Sequence, residues 1–156
     1  MHHDDNQSGM DAMKEIFGEV IHSVTRQNLL DDGYLVDVTA TAKQSGFRVP
    51  VALTRPVYDR YVAFDERAEG QSIEGRLWDV LWMLFVKIRS ANNAPELLYK
   101  LFVAIPGDVE YTQNERRLWA GDDLPCETHR EVTLKAHVGP GDEGEPVMTI
   151  LLPEED

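Results

Sequence analysis

Five residues have types and spacing that suit the binding of an anion: Asp37, Thr39, Arg48, Thr54 and Arg55. They fall at the ends of short predicted elements, where polar side chains can converge. Arg48 and Arg55 read as a small basic pocket in an acidic protein. Such a pocket would serve an enzyme or binding protein for an anionic small molecule. The competing reading pairs Arg48 with Asp37 at the surface, where an ion pair contributes little.

Other chemistry is thinner. Met1-His2-His3 places a histidine third from a free amine, a donor set for square-planar Cu(II), but a start-codon or tag origin explains it equally. Cys126 and His129 stand three apart, without the CxxC or HExxH that would make them ligands. Asp31-Asp32 and Asp142-Glu143-Gly144-Glu145 offer oxygen ligands without EF-hand spacing; a helix end and a hairpin tip account for both. No GxSxG, GxxxxGK[ST] or GxGxxG occurs, so neither a nucleophile elbow nor a phosphate cradle is expected. The sequence therefore points to no catalytic residue, no metal ligand and no cofactor.

The net charge is −13 over 156 residues, and it is uneven. Residues 106–156 hold thirteen Asp and Glu against four Lys and Arg. Asp122, Asp123, Asp142, Glu143, Glu145, Glu154 and Glu155 are the candidates for an acidic face. Such a surface repels nucleic acid and anionic membranes and suits a basic protein partner, whose groove it could fill by imitating nucleic acid. The single cysteine rules out an internal disulfide. The N-terminus lacks the basic start and apolar core of a signal peptide, and no apolar run reaches about 18 residues. A cytoplasmic protein, apart from membranes, is expected.

The elements that must position these residues follow from capping and periodicity. A polar, disordered stretch, 1–12, precedes a single domain, 13–156, that opens with a mixed helical segment over 14–24. Thr25 caps a short helix stopped by Gly33; Tyr34–Val38 is a strand; Thr39 caps a second helix closed by Gly46. RVPVAL (48–53) is extended, and Pro50 places it at an edge. Thr54 caps RPVYDRYVAF, with Pro56 in the first turn.

Ser72 caps the longest helix, residues 73–91. Its stretch LWDVLWMLFVKI is apolar at ten of twelve positions. Ile73, Leu77, Val80, Leu81, Leu84, Phe85 and Ile88 form one broad face, while Trp78, Trp82, Met83 and Val86 spread around the rest. A helix apolar on most sides is expected to be covered on both faces by its own chain. The alternative puts Trp82 and Val86 in a seam between two copies, so monomer and homodimer both stay open. Leu98–Ile105 reads as a central strand, 108–127 as irregular with Trp119 as anchor, and Arg130–Val138 with Val147–Leu152 as a hairpin. The expected fold is α+β: a small antiparallel sheet with a C-terminal hairpin, one long central helix packed on it, and several short N-terminal helices.

Three stretches carry a resemblance: IHSVTRQNLLDDGYLVDVTATAKQSGFRVPVALT, EGRLWDVLWM and VTLKAHVGPGDEGEPVMTILLPEED. Together they resemble a bacterial family of unknown function met on plasmids, integrative elements and phage-related islands. The resemblance spans about residues 16–156 and fails over 108–128. It implies a cytoplasmic bacterial setting and an accessory role on a mobile element, with no catalytic residues to carry over. The expected function is thus a non-catalytic protein-interaction module.

Overall fold

The structure is a computed structural model that describes residues 24–63, 72–91, 94–118 and 129–155. The expectations for 1–12, the helix at 14–24, Trp119, Asp122, Asp123 and Cys126 fall outside the described residues.

The elements in chain order are α1 (Arg26–Asp31), β1 (Leu35–Asp37), α2 (Thr39–Ser45), β2 (Val51–Thr54), α3 (Arg55–Val57), α4 (Ile73–Ser90), β3 (Glu96–Ala104), β4 (Glu115–Arg117), β5 (His129–Pro140) and β6 (Pro146–Leu151). After α3 the chain widens into a π-helical turn, Tyr58–Val62. The fold is α+β. Six strands form one sheet in the order β1-β2-β6-β5-β3, with β4 also paired to β5. The predicted hairpin is β5–β6, which starts and ends within two residues of expectation.

Local signals set the ends of the helices. Thr25 and Asn28 form a reciprocal capping box at the start of α1. Gly46 closes α2 at φ 110°, and a Cβ there would sit 2.8 Å from the Phe85 ring, so glycine is needed for both backbone and space. Ser72 accepts from the Gly75 amide at 2.9 Å and opens α4.

Several expectations are corrected. The sheet is mixed: β2 runs parallel to β6, because the chain between them crosses over through α4 and β3–β5 rather than turning back. β2 is an interior strand with all four residues buried. Pro50 precedes its first residue, so the missing N–H removes no ladder bond, and the Pro50 carbonyl accepts from the Met148 amide at 2.9 Å. β3 is an edge strand, not a central one. The segment 108–127 contains a strand, β4, which three residues of ordinary polarity did not announce. Thr39 lies inside α2, after the N-cap Val38; its hydroxyl turns back to Asp37 at 2.5 Å and Val51. Thr54 makes no cap hydrogen bond either.

The core lies on one face of the sheet. Val36, Val51, Leu53, Met148, Ile150, Ala136, Leu134, Val132, Tyr99, Leu101 and Val103 share that face by register. α4 covers it with Leu77, Val80, Leu81 and Leu84, and the Tyr99 hydroxyl donates to the Val80 carbonyl at 3.0 Å. The other side of α4 differs from expectation: Trp78, Trp82, Met83 and Val86 are exposed. α2 covers only the flank, where Phe47 meets Phe85 edge-on at 5.7 Å. α1 lies across the sheet from α4, not against its outer side: the Arg26 guanidinium reaches Thr149 on the opposite sheet face.

Two adjacent residues of α4 separate these environments. Leu84→Ala is expected to cost about 2–5 kcal/mol in urea denaturation, because it empties a fully buried site. Met83→Ala is expected to stay within about 1 kcal/mol. Equal losses would contradict the burial of one face only.

Candidate functional site

The face of the sheet opposite α4 gathers polar side chains. α1 is held there through its own backbone. Asp142, at the β5–β6 tip, accepts from the amides of Arg26 at 2.7 Å and Gln27 at 3.0 Å. Thr25 Oγ1 takes the Asn28 amide at 3.0 Å, so the first three amides of the helix are all satisfied. The Arg26 guanidinium then runs over the sheet, donating to Thr149 Oγ1 at 2.8 Å and to the Met148 carbonyl at 3.0 Å.

Beside Arg26 lies a recess of about 440 Å³. Asp37 and Thr39 line it from the N-terminal half, and Asp142, Glu143 and Glu145 from the hairpin tip. Four acidic residues thus line one recess with a single guanidinium. Burial pulls Arg26 below the usual arginine range, and the negative fields of Asp37, Asp142 and Glu145 oppose that pull. The tip keeps its shape through a turn in which Gly144 adopts φ 85° and its amide donates to the Gly141 carbonyl at 3.1 Å.

The remaining predicted residues lie elsewhere. Arg48 is exposed in the α2–β2 connection, and Arg55 stands at the other end of β2. Arg55 donates to the Gly33 carbonyl at 2.8 Å, meets Asp59 at 3.4 Å and lies over the Tyr58 ring. The two arginines therefore do not converge. Thr54 is buried, and its hydroxyl donates to Glu155 at 2.8 Å. Glu155 also accepts from the Tyr34 hydroxyl at 2.9 Å and the Leu152 amide at 2.8 Å, so its carboxylate is a latch rather than a free surface charge. Glu154 lines a different recess with Lys100 and Arg116. Trp82 and Val86 are exposed on the far side of the molecule.

A second carboxylate centre was not anticipated. The Glu115 side chain is fully buried and accepts from Arg60 Nε at 2.5 Å, Arg60 Nη2 at 2.9 Å, Arg130 Nη1 at 2.8 Å and the Tyr61 hydroxyl. Asn114 donates to Tyr61 at 2.9 Å. Arg130 also donates to the carbonyls of Pro106, Val109 and Glu110, and stacks 3.7 Å from the Tyr111 ring centroid. Burial pushes the Tyr61 hydroxyl up to about 12. Every acceptor direction of Glu115 is used and no side-chain surface is open, so the cluster closes the end of the sheet instead of meeting a substrate. One signal for it was legible. The alternation that puts Val132 and Leu134 inward also turns Arg130 inward, and an inward arginine requires buried acceptors, of which a carboxylate is the strongest.

The model of a family of unknown function, DUF6573, matches residues 13–156. The chain belongs to that family. No curated protein and no solved structure matches it.

Within this DUF6573 chain the described residues hold no group of three or more His, Cys, Asp or Glu placed to bind a metal ion, the acidic recess included. What the recess offers chemically is a fixed set of hydrogen-bond acceptors with excess negative charge.

Glu115 makes stability depend on pH. Burial by itself would raise its carboxyl; the hydrogen bonds from Arg60, Tyr61, Arg130 and Thr112 outweigh burial and bring it from 4.5 down to about 2. A lowered folded value means that the stabilisation is present above about pH 4.5 and is lost as the pH falls towards about 2. The loss is expected to be on the order of 3 kcal/mol. Glu115→Gln should lower stability at pH 7 by a similar amount, on the order of 3 kcal/mol, and flatten the acid limb of the curve. Denaturant melts at stepped pH check both, and an unchanged acid limb in the variant would show that other groups carry it.

Proposed function

We propose that this protein is a non-catalytic interaction module that presents its acidic recess to a basic protein partner. The observation that carries the reading is the convergence of Asp37 with Asp142, Glu143 and Glu145 around Arg26. Residues far apart in the sequence meet there, and two of the four carboxylates are held in advance. Asp142 is tied to two backbone amides, and Asp37 accepts from the Thr39 amide at 3.0 Å and the Thr39 hydroxyl. Carboxylates already held in place lose little freedom when a lysine or arginine of a partner docks, which favours binding. The net charge of −13 extends the same field over the rest of the surface and speeds encounter with a basic protein.

The finer reading is a cytoplasmic mobile-element protein whose carboxylates stand in for phosphates on a basic host protein. The resemblance in sequence and the excess of acid in residues 106–156 support it. The anion pocket built on Arg48 and Arg55 has no geometric support, since β2 separates the two side chains.

The test neutralises the recess without loosening the fold. Asp37→Asn, Glu143→Gln and Glu145→Gln are combined, and Asp142 is left alone because it caps α1. Proteins captured by the wild-type chain at low salt should be basic and should elute as salt rises towards ~0.5 M. The triple variant should bind the captured partner roughly tenfold more weakly, mainly through slower association. Equal affinity for wild type and variant would end this reading.

A further inference from the structure

α4 has a second, ordered surface on the face opposite its core side. Trp78, Trp82, Met83 and Val86 are 38%, 43%, 39% and 45% exposed. Their rings are not loose. Trp78 stacks on Trp82 with centroids 6.3 Å apart, and Trp82 stacks on Phe85 at 5.6 Å. Phe85 in turn meets the buried Phe47. The ridge is thus a run of aromatic rings rooted in the core, and no described element covers it. A contiguous exposed patch of this kind marks an interaction surface, and tryptophan is the residue most enriched at the centres of such surfaces.

The charges on the same helix say what kind of partner fits. Glu74 lies in the first turn, and Lys87 and Arg89 lie in the last. At 100° per residue, Glu74, Trp78, Phe85 and Arg89 fall on one flank of Trp82, and Asp79 and Val86 on the other. Place a second α4 antiparallel to the first, with a two-fold axis beside Trp82. Residues then meet where their numbers sum to about 164, on the same flank. Trp82 meets its own copy, Trp78 meets Phe85 and Glu74 meets Arg89 on one flank, and Asp79 lies beside Val86 at the rim of the other. A parallel arrangement would bring each flank against the other, set Arg89 beside its own copy and leave Glu74 without a basic partner. Only the antiparallel arrangement pairs the opposite charges at the two ends of the helix.

We infer that two copies of this chain associate through antiparallel α4 helices, in an isologous dimer centred on Trp82. This goes beyond the acidic recess and is independent of it, because the recess lies on the opposite face of the sheet. A single pair of roughly five-turn helices is small beside the roughly 1,600 Å² of a standard interface, so the dimer depends on concentration.

The experiment is sedimentation equilibrium of the full chain from ~1 to ~500 μM. The expected mass rises from 17.7 kDa towards twice that value. Trp82→Lys should stay monomeric throughout. Glu74→Lys should weaken the dimer by roughly threefold or more, and the double variant Glu74→Lys/Arg89→Glu should restore it. Both charged positions are exposed, so the swap leaves the core intact even if Trp82→Lys folds poorly. Residues 74 and 89 are roughly 22 Å apart along one helix, so restoration can arise only between copies. A mass of 17.7 kDa at every concentration would overturn the inference, and would leave the ridge to a different protein. A double variant no tighter than the single one would overturn the antiparallel arrangement that defines it.

Discussion

One carboxylate between two arginines organises the end of the molecule on which the sheet closes. Glu115 draws together the turn after β2 through Arg60 and Tyr61, the strand β5 through Arg130, and its own strand β4. The three come from distant parts of the chain. A buried pair of this kind adds less net stability than its short contacts suggest, because desolvation offsets the attraction. Its consequence is geometric. Any arrangement that moves one partner leaves a charge buried alone, which costs several kcal/mol, roughly a third or more of the ~5–15 kcal/mol that holds a domain of this size together. The connection from Pro106 to Asn114, with little apolar content, is therefore held by Arg130 and its carbonyl acceptors together with Val109, which packs against the core.

The legible parts of the fold were those written in local chemistry. Thr25, Gly33, Gly46 and Ser72 marked helix ends because capping is a property of a few consecutive residues. The β5–β6 hairpin showed through alternation and a glycine-bearing tip. What escaped was set by pairing over long distances. Nothing near Val51 announces that it will lie beside Met148 in parallel, and three polar residues, Glu115–Arg117, become a strand only because β5 offers an edge there. Of the candidate binding residues, Asp37 and Thr39 do meet the hairpin carboxylates. Arg48 and Arg55 lie at ends of short elements but do not converge, because the extended strand β2 holds those ends apart. Arg26 was missed because its role depends on Asp142 and Thr149, both more than a hundred residues away.

The two surfaces of interest differ in kind and in position. One is a recess of fixed acceptors with excess negative charge, on the open face of the sheet. The other is an aromatic ridge on the helix that covers the opposite face. The sheet lies between them, with its core face packed and its strands paired in continuous register. A dimer joined along the ridge would point two recesses outward, away from each other. Engagement of a partner with two basic patches would then gain from linkage without any new contact.

The position of β6 has a kinetic consequence. It is inserted between β2 and β5, so the strands of the N-terminal half touch the others only through it, yet it follows every one of them in chain order. A growing polypeptide would carry β1 and β2 with an unsatisfied edge until residues 146–151 had been made. The nascent chain therefore passes through a stage in which its first half offers an open strand edge, the condition that favours association between unfinished chains.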